Sequence, residues 1–231
     1  MRAGALVRRS LEWARRLEEF ALPQRCPGCG APAPATRLLC DECWARIPAL
    51  SFPVCARCLL EGAEPVGCRR HAGSRVWPAL VYDERVALLV HAFKYGQRPA
   101  LAATLGERLA RAVPAAVAPD LVTAVPLHPA RRRERGYNQA WRLAEAVADR
   151  LEVPALEGVL RRVRATPAQA QLDPARRRRN LTRAFRAEEP RRWRGRRILI
   201  VDDVLTTGAT LEACLETLSA AGARAAGAVL A

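Results

Sequence analysis

The chain is almost without lysine: of its 38 basic residues, every one but Lys94 is arginine. A background preference for arginine accounts for most of that bias. Where such a preference operates, a retained ammonium marks a place suited to a compact point charge rather than a planar guanidinium. Lys94 is therefore a site candidate. Long apolar runs are missing too. No stretch approaches the ~20 residues that a membrane-spanning helix requires. Residues 1–21 have no apolar signal-peptide core. They carry Arg2, Arg8, Arg9, Arg15 and Arg16 among Leu6, Leu11, Trp13, Leu17 and Phe20, the pattern of an amphipathic helix. Docking on the neighbouring domain is its plain role, and a membrane surface or a partner helix the alternative. A Gly-Lys-Ser/Thr loop is absent, which excludes a Walker-type nucleotide site. Acidic residues are few, 23 against 38 basic, and the net charge of +15 favours polyanions such as nucleic acid, phosphorylated metabolites or acidic membranes. That is attraction, not a site. A length of 231 residues, half of them hydrophobic, suffices for one core and a small appendage.

Cysteine is plentiful and local. Seven of eight fall between 26 and 68, as Cys26-x2-Cys29, Cys40-x2-Cys43, Cys55-x2-Cys58 and Cys68-x2-His71. Each pair sets two ligands on a tight knuckle, and two knuckles complete a tetrahedral shell for structural zinc with no open position. Imidazole replaces one thiolate in the last pair, which zinc accepts. A disulfide framework is the competing reading, but it lacks a secretory signal and needs Cys214, far off in a predicted helix. Spacing fixes the knuckles and not their pairing, so the grouping 26/29/40/43 with 55/58/68/71 and an interleaved grouping both stay open. Region 22–74 is thus expected to be a double zinc ribbon whose core is the metal. It either grips a nucleic acid or partner, or covers an edge of the larger domain.

From residue 75 onward the cysteines stop, Cys214 apart, and strand and helix patterns alternate, which predicts an α/β domain over 75–231 with a mainly parallel sheet flanked by helices. Strands are expected over 79–82, 120–125 and 223–230, and helices over 85–93, 100–113 and 141–151. After the 120–125 strand comes an arginine-rich loop containing Leu127, His128, Arg131, Arg132, Arg133 and Arg135, then Asn138 at a helix start, where it can cap. A second basic stretch runs from Arg161 through Arg164 and Arg176, Arg177, Arg178, Arg179 to Arg183, broken by Pro167 and Pro174. It reads as a long surface excursion of the kind that forms lids. Segment 176–197 holds eleven arginines with Phe185 and Trp193 interleaved, a combination suited to stacking and phosphate contacts on single strands.

The densest chemistry lies at Ile198-Leu199-Ile200-Val201-Asp202-Asp203, followed by Thr206-Thr207-Gly208-Ala209-Thr210 and a helical pattern from Leu211. A buried strand feeding a loop and a helix N-terminus presents unpaired amides to an anion. Glycine admits close backbone approach, and the threonines add hydroxyl donors. The two carboxylates sit where open α/β sheets bind ligands, and can hold ribose hydroxyls or a divalent cation. Helix capping alone explains one polar residue here, but not the set.

This stretch resembles the phosphoribosyl-pyrophosphate (PRPP) motif of type I phosphoribosyltransferases. The resemblance implies that Asp202 and Asp203 contact the ribose, that Thr206, Thr207, Gly208, Ala209 and Thr210 wrap the 5′-phosphate, and that Leu127, His128 and Arg135 lie near the pyrophosphate, with Mg²⁺ carried on PRPP. Together with the knuckles, Phe93-Lys94-Tyr95-Gly96, Arg135-Gly136-Tyr137-Asn138-Gln139, Arg164-Ala165-Thr166-Pro167-Ala168-Gln169 and Arg179-Asn180-Leu181, it resembles the competence protein ComF family, which includes GntX-type proteins, over residues 22–231 in order. His71 departs from the cysteine common there. The family implies a type I phosphoribosyltransferase fold behind a double zinc ribbon, with Lys94 and Arg164 as catalytic candidates beside the aspartates. It implies a cytoplasmic role in natural transformation, handling incoming single-stranded DNA alongside a helicase-like ATPase. Arg176, Arg177, Arg178, Arg179 and Arg183 are the DNA-binding candidates. A non-catalytic nucleic-acid adaptor of the same fold is the alternative. A nucleotide-salvage enzyme fits less well, because no base-recognition hood is identifiable.

Overall fold

The computed structural model describes residues 24–34, 36–96, 98, 100–127, 137–163 and 184–231. The helix expected over 1–21 lies outside them, as do His128, Arg135, Arg164, residues 176–179 and Arg183.

A two-stranded antiparallel ribbon, β1 (Gln24–Arg25) and β2 (Pro32–Ala33), leads into the short helix α1 (Asp41–Ala45). Then follow β3 (Val54–Cys55), α2 (Ala56–Leu60), β4 (Arg75–Pro78), α3 (Glu84–Tyr95), α4 (Leu101–Ala112), β5 (Leu121–Ala124) and α5 (Gln139–Leu151). A β6/β7 hairpin (Leu160–Arg162, Phe185–Ala187), β8 (Arg197–Asp202), α6 (Ala209–Ala220) and β9 (Arg224–Val229) complete the order. The main sheet runs β3-β4-β9-β8-β5. Its pairs are parallel except for β3, which lies antiparallel on the edge.

Strand β8 lies inside the sheet, between β9 and β5, and its sequence is apolar on both faces, as parallel sheets demand. Leu199 and Val201 point into one core with the buried faces of α3, α4 and α5, while Ile198 and Ile200 point into the other with α6, Phe185 and Trp193. Helix α3 starts at Glu84, one residue before the expected 85, and Asp83 caps it, its carboxylate accepting from the Val86 amide at 2.9 Å.

The expected elements form with small shifts. The strand expected over 79–82 forms at Arg75–Pro78, although the Ala79 and Leu80 amides still donate to Val229 and Leu230 at 3.0 and 2.9 Å. The last helix begins at Ala209 rather than Leu211.

The cysteine-rich region is built into this sheet instead of hanging from it. Strand β3 ends on the ligand candidate Cys55 and pairs with β4, and residues 48–50 hydrogen-bond along 79–81. Farther back, Cys26, Leu39, Cys40, Cys43 and Trp44 are buried in the core shared with α4 and α5. The ribbon therefore covers an edge of the larger domain.

Candidate functional site

The parallel order brings the ends of β5 and β8 side by side: Ala124 is in register with Val201, and the Val125 amide donates to the Val201 carbonyl at 2.9 Å. Leu127 and the Asp202-Asp203 pair thus leave neighbouring strands at the carboxyl edge. On the other side, the Asp203 carbonyl accepts from the Leu230 and Ala231 amides at 3.1 and 3.3 Å, and the Leu205 amide donates to the Ala231 carbonyl at 2.7 Å. The loop is fastened to β9 before it reaches the threonines.

Gly208 sits in the left-handed region at φ +75° and caps α6, leaving the first helical amides, from Ala209 onward, without partners inside the helix. Thr206 is exposed, and Thr207 and Thr210 are half-buried beside these amides. Threonine hydroxyls and the N–H groups of the helix start therefore share the 206–210 turn, which is the equipment of a phosphate site.

Lys94 comes to this edge from a distant part of the chain. Its ammonium lies 2.9 Å from Oδ1 of Asp203, with both side chains largely buried. Two residues of the motif after β5 fix that end of α3: the Tyr137 hydroxyl donates to the Phe93 carbonyl, and the Gln139 amide to the Lys94 carbonyl at 3.3 Å. Helix C-termini have orphan carbonyls, and these side chains satisfy two of them. Asn138 does not cap α5 with its side chain; its Nδ2 donates back to the Val125 carbonyl at 3.1 Å and ties the loop ends together.

Asp202 is pushed up to about 7, first by burial and then by the Asp203 carboxylate beside it; the Asp203 amide, Lys94 and Arg162 pull the other way. Arg162, from β6, was not singled out by the sequence as a site residue. Besides reaching Asp202 electrostatically, it lines a cleft of about 530 Å³ with Pro126, Leu127, Asn138, Arg161 and Glu188. The signal was its place at the start of the basic stretch, where a short strand turns it inward.

Since the native carboxyl of Asp202 holds its proton to about pH 7 and an unfolded aspartate releases it near pH 4, the native state binds more protons in between. Stability must then fall as pH rises through that window. Asp202→Asn removes the effect, so its melting temperature is expected to exceed that of wild type at pH 8 and to approach it at pH 4; equal differences at both pH values would contradict the assignment.

The ligand atoms of Cys26, Cys29, Cys40 and Cys43 converge, as do those of Cys55, Cys58, Cys68 and His71, each set lying within 4.8 Å of one another. The grouping is sequential. Nδ1 of His71 stands 3.6, 3.5 and 3.6 Å from the sulfurs of Cys55, Cys58 and Cys68. Tetrahedral zinc with Zn–S near 2.3 Å and Zn–N near 2.0 Å needs S···N edges of about 3.5 Å, so imidazole fits this shell as it stands. Cys214 is buried in α6, where burial pushes its thiol well up, which suits an inert core residue.

Phe185 and Trp193 are buried, at 6% and 5% exposure, and Trp193 donates its indole N–H to the Glu188 carbonyl. The stacking platform suggested by their place among arginines is not available in the fold: they are core.

The phosphoribosyl transferase domain model matches residues 138–231 and the double zinc ribbon domain model residues 17–71. Competence protein F of Haemophilus influenzae is 34% identical over 189 residues, covering 75% of this chain and 80% of that protein. DNA utilization protein YhgH of Escherichia coli O157:H7 is 32% identical over 208 residues (86% and 79%), and that of strain K12 is 31% identical over 210 residues (87% and 80%). No solved structure matches the chain. Among the described residues no helix is long and apolar enough to cross a membrane. Identity at this level across about four-fifths of the relatives' length makes the chain a member of the family that holds competence protein F and DNA utilization protein YhgH.

Proposed function

We propose that this protein binds Mg·PRPP at the carboxyl edge of the sheet and acts, as a phosphoribosyltransferase or a close derivative of one, on single-stranded DNA entering the cell. The observation that carries the ligand is the convergence of Asp202, Asp203 and Lys94 with the Gly208 turn at one edge, in a chain with a phosphoribosyl transferase domain. Asp202 and Asp203 accept from the ribose hydroxyls. The amides and hydroxyls of 206–210 take the 5′-phosphate. Lys94 and Arg162, with Leu127, His128, Arg135 and Arg164 from the adjoining loops, are the residues this reading assigns to the pyrophosphate and to charge developing at the anomeric carbon. Magnesium carried with PRPP supplies further neutralisation of the leaving diphosphate. Ribose binding uses ionised aspartates, so affinity for Mg·PRPP rises with pH through about 7.

For the DNA role the support is the names of the relatives and the charge of +15. Arg186, Arg191, Arg192, Arg194 and Arg196 are exposed along the segment that leads into β8, continuing the basic stretch 176–183. Such DNA is met in the cytoplasm beside a helicase-like ATPase, which is where this reading has the protein act. With Phe185 and Trp193 buried, phosphate contacts rather than stacking on these rings carry the affinity, so binding should weaken steeply with salt.

Pyrophosphate release from Mg·PRPP, assayed with nucleobases, nucleotides and single-stranded DNA in turn, tests the reaction. Release stimulated by one acceptor class supports transfer to it. PRPP binding with no release under any condition leaves the non-catalytic derivative, and absence of PRPP binding removes the whole reading.

A further inference from the structure

The second metal cluster and the phosphate turn lie back to back. A Cβ placed on Gly208 would fall 2.6 Å from the carbonyl oxygen of Ala56 and 3.2 Å from its Cα. Ala56 is fully buried and directly follows the metal-ligand candidate Cys55. The floor of the phosphate turn is therefore the backbone of the metal knuckle, in van der Waals contact with no room for a side chain between them.

Glu212 joins the same two parts. It is four residues beyond Gly208, in the first turn of α6, and its amide donates to the Gly208 carbonyl at 2.8 Å. Its side chain is buried, at 2% exposure. One oxygen accepts from the Ser74 hydroxyl at 3.0 Å and faces the Arg57 guanidinium at 3.5 Å; the other has no hydrogen-bond partner. Arg57 also pairs with Glu216 one turn on, at 2.5 Å. Arg57 stands between Cys55 and Cys58, and the Ser74 amide donates to the carbonyl of His71 at 2.9 Å. Both halves of the ligand set thus reach one buried carboxylate at the root of the phosphate turn. Removing a partner from a buried carboxylate is destabilising, so the arrangement favours the knuckles held in place. Among the described residues the first cluster has no such link: Cys26, Cys40 and Cys43 pack in the core on the other face of the sheet.

We infer that the second metal site is the mount of the phosphate turn: metal binding at Cys55, Cys58, Cys68 and His71 and binding of a phosphate monoester at 206–210 favour one another, with Arg57, Ser74 and Glu212 as the positioning residues that join them. The inference rests on the phosphate site proposed above. Coupling of this kind is reciprocal, so the ligand must raise the affinity for the metal by the same factor as the metal raises the affinity for the ligand.

That reciprocity gives a readout independent of catalysis. Zinc release from the full-length, zinc-loaded protein to a zinc-selective chromogenic chelator is followed with and without saturating ribose 5-phosphate. His71→Cys, which keeps four ligands but changes one, identifies the kinetic phase of the second site. Ribose 5-phosphate is expected to slow that phase about tenfold, within the usual range of site coupling, and to leave the first-site phase unchanged. In Arg57→Ala and in the nearly isosteric Glu212→Gln, protection should fall below about threefold while ribose 5-phosphate still binds by calorimetry. Equal slowing of both phases, no slowing despite calorimetric binding, or full protection in both variants would overturn the coupling alone. Failure of the wild type to bind ribose 5-phosphate would overturn the phosphate-site reading and the coupling with it.

Discussion

Gly208→Ala is expected to lower stability by about 2–5 kcal/mol and to abolish binding at the phosphate turn. Two costs add. A non-glycine residue at φ +75° is strained by about 1–2 kcal/mol. The new methyl also meets the Ala56 carbonyl at 2.6 Å, where backbone on both sides must move, and overpacking costs about 1–3 kcal/mol. Movement here displaces the Ala209 and Thr210 amides, so the functional loss should exceed what stability alone predicts. Urea unfolding gives the first quantity and PRPP calorimetry at 10 °C, where the variant stays folded, the second. Unchanged affinity in a destabilised variant would show that the amides of this turn are not the phosphate ligands.

Metal removal is expected to have the larger effect on structure. Zinc bound to such ligand sets supplies about 10–16 kcal/mol in small peptides, comparable to or above the net stability of an ordinary domain. Around the first cluster, Leu39 and Trp44 are buried beside the ligand candidates Cys40 and Cys43. Two zinc ions per chain are expected by elemental analysis, and chelation should expose Trp44, 1% exposed in the fold, with a red shift in fluorescence that Trp44→Phe lacks. Removing the second metal should also loosen β3 from β4, seen as faster amide exchange in β4. A chelated protein with unaltered fluorescence and exchange would mean that the ribbon is held by packing, with the metals secondary.

The chemistry was legible where it is local in sequence. A four-residue apolar run, two aspartates and a threonine-glycine turn define strand, edge and helix start within fifteen residues, and each cysteine pair defines its own knuckle. What joins distant pieces was less so. Strand β3 is two residues long, too short for alternation to show, and exists because β4 offers it an edge. Pro78 argues against a strand at 75–78 in the sequence, since proline cannot donate to a ladder; in the fold β3 pairs only with Arg75 and Val76. Phe185 and Trp193 stand between arginines, and only the fold of the hairpin and of the turn before β8 shows that the arginines face out and the rings in. Lys94 was found by its rarity; its partner Asp203, 109 residues on, was not predicted as such. Arg57, Ser74 and Glu212 gave no signal, since Arg57 is one arginine among many and two of its three carboxylate partners, Glu212 and Glu216, lie more than 150 residues away, only Glu61 being near.

The central claim is that Asp202 and Asp203, with the turn behind them, form a PRPP site. Calorimetric titration of Mg·PRPP into wild type and into Asp202→Asn/Asp203→Asn at pH 8 tests it most directly, provided zinc content and melting show both proteins folded. Saturable one-to-one binding by wild type and at least a hundredfold weaker binding by the variant is the expected result. Equal affinity in the two proteins would contradict it.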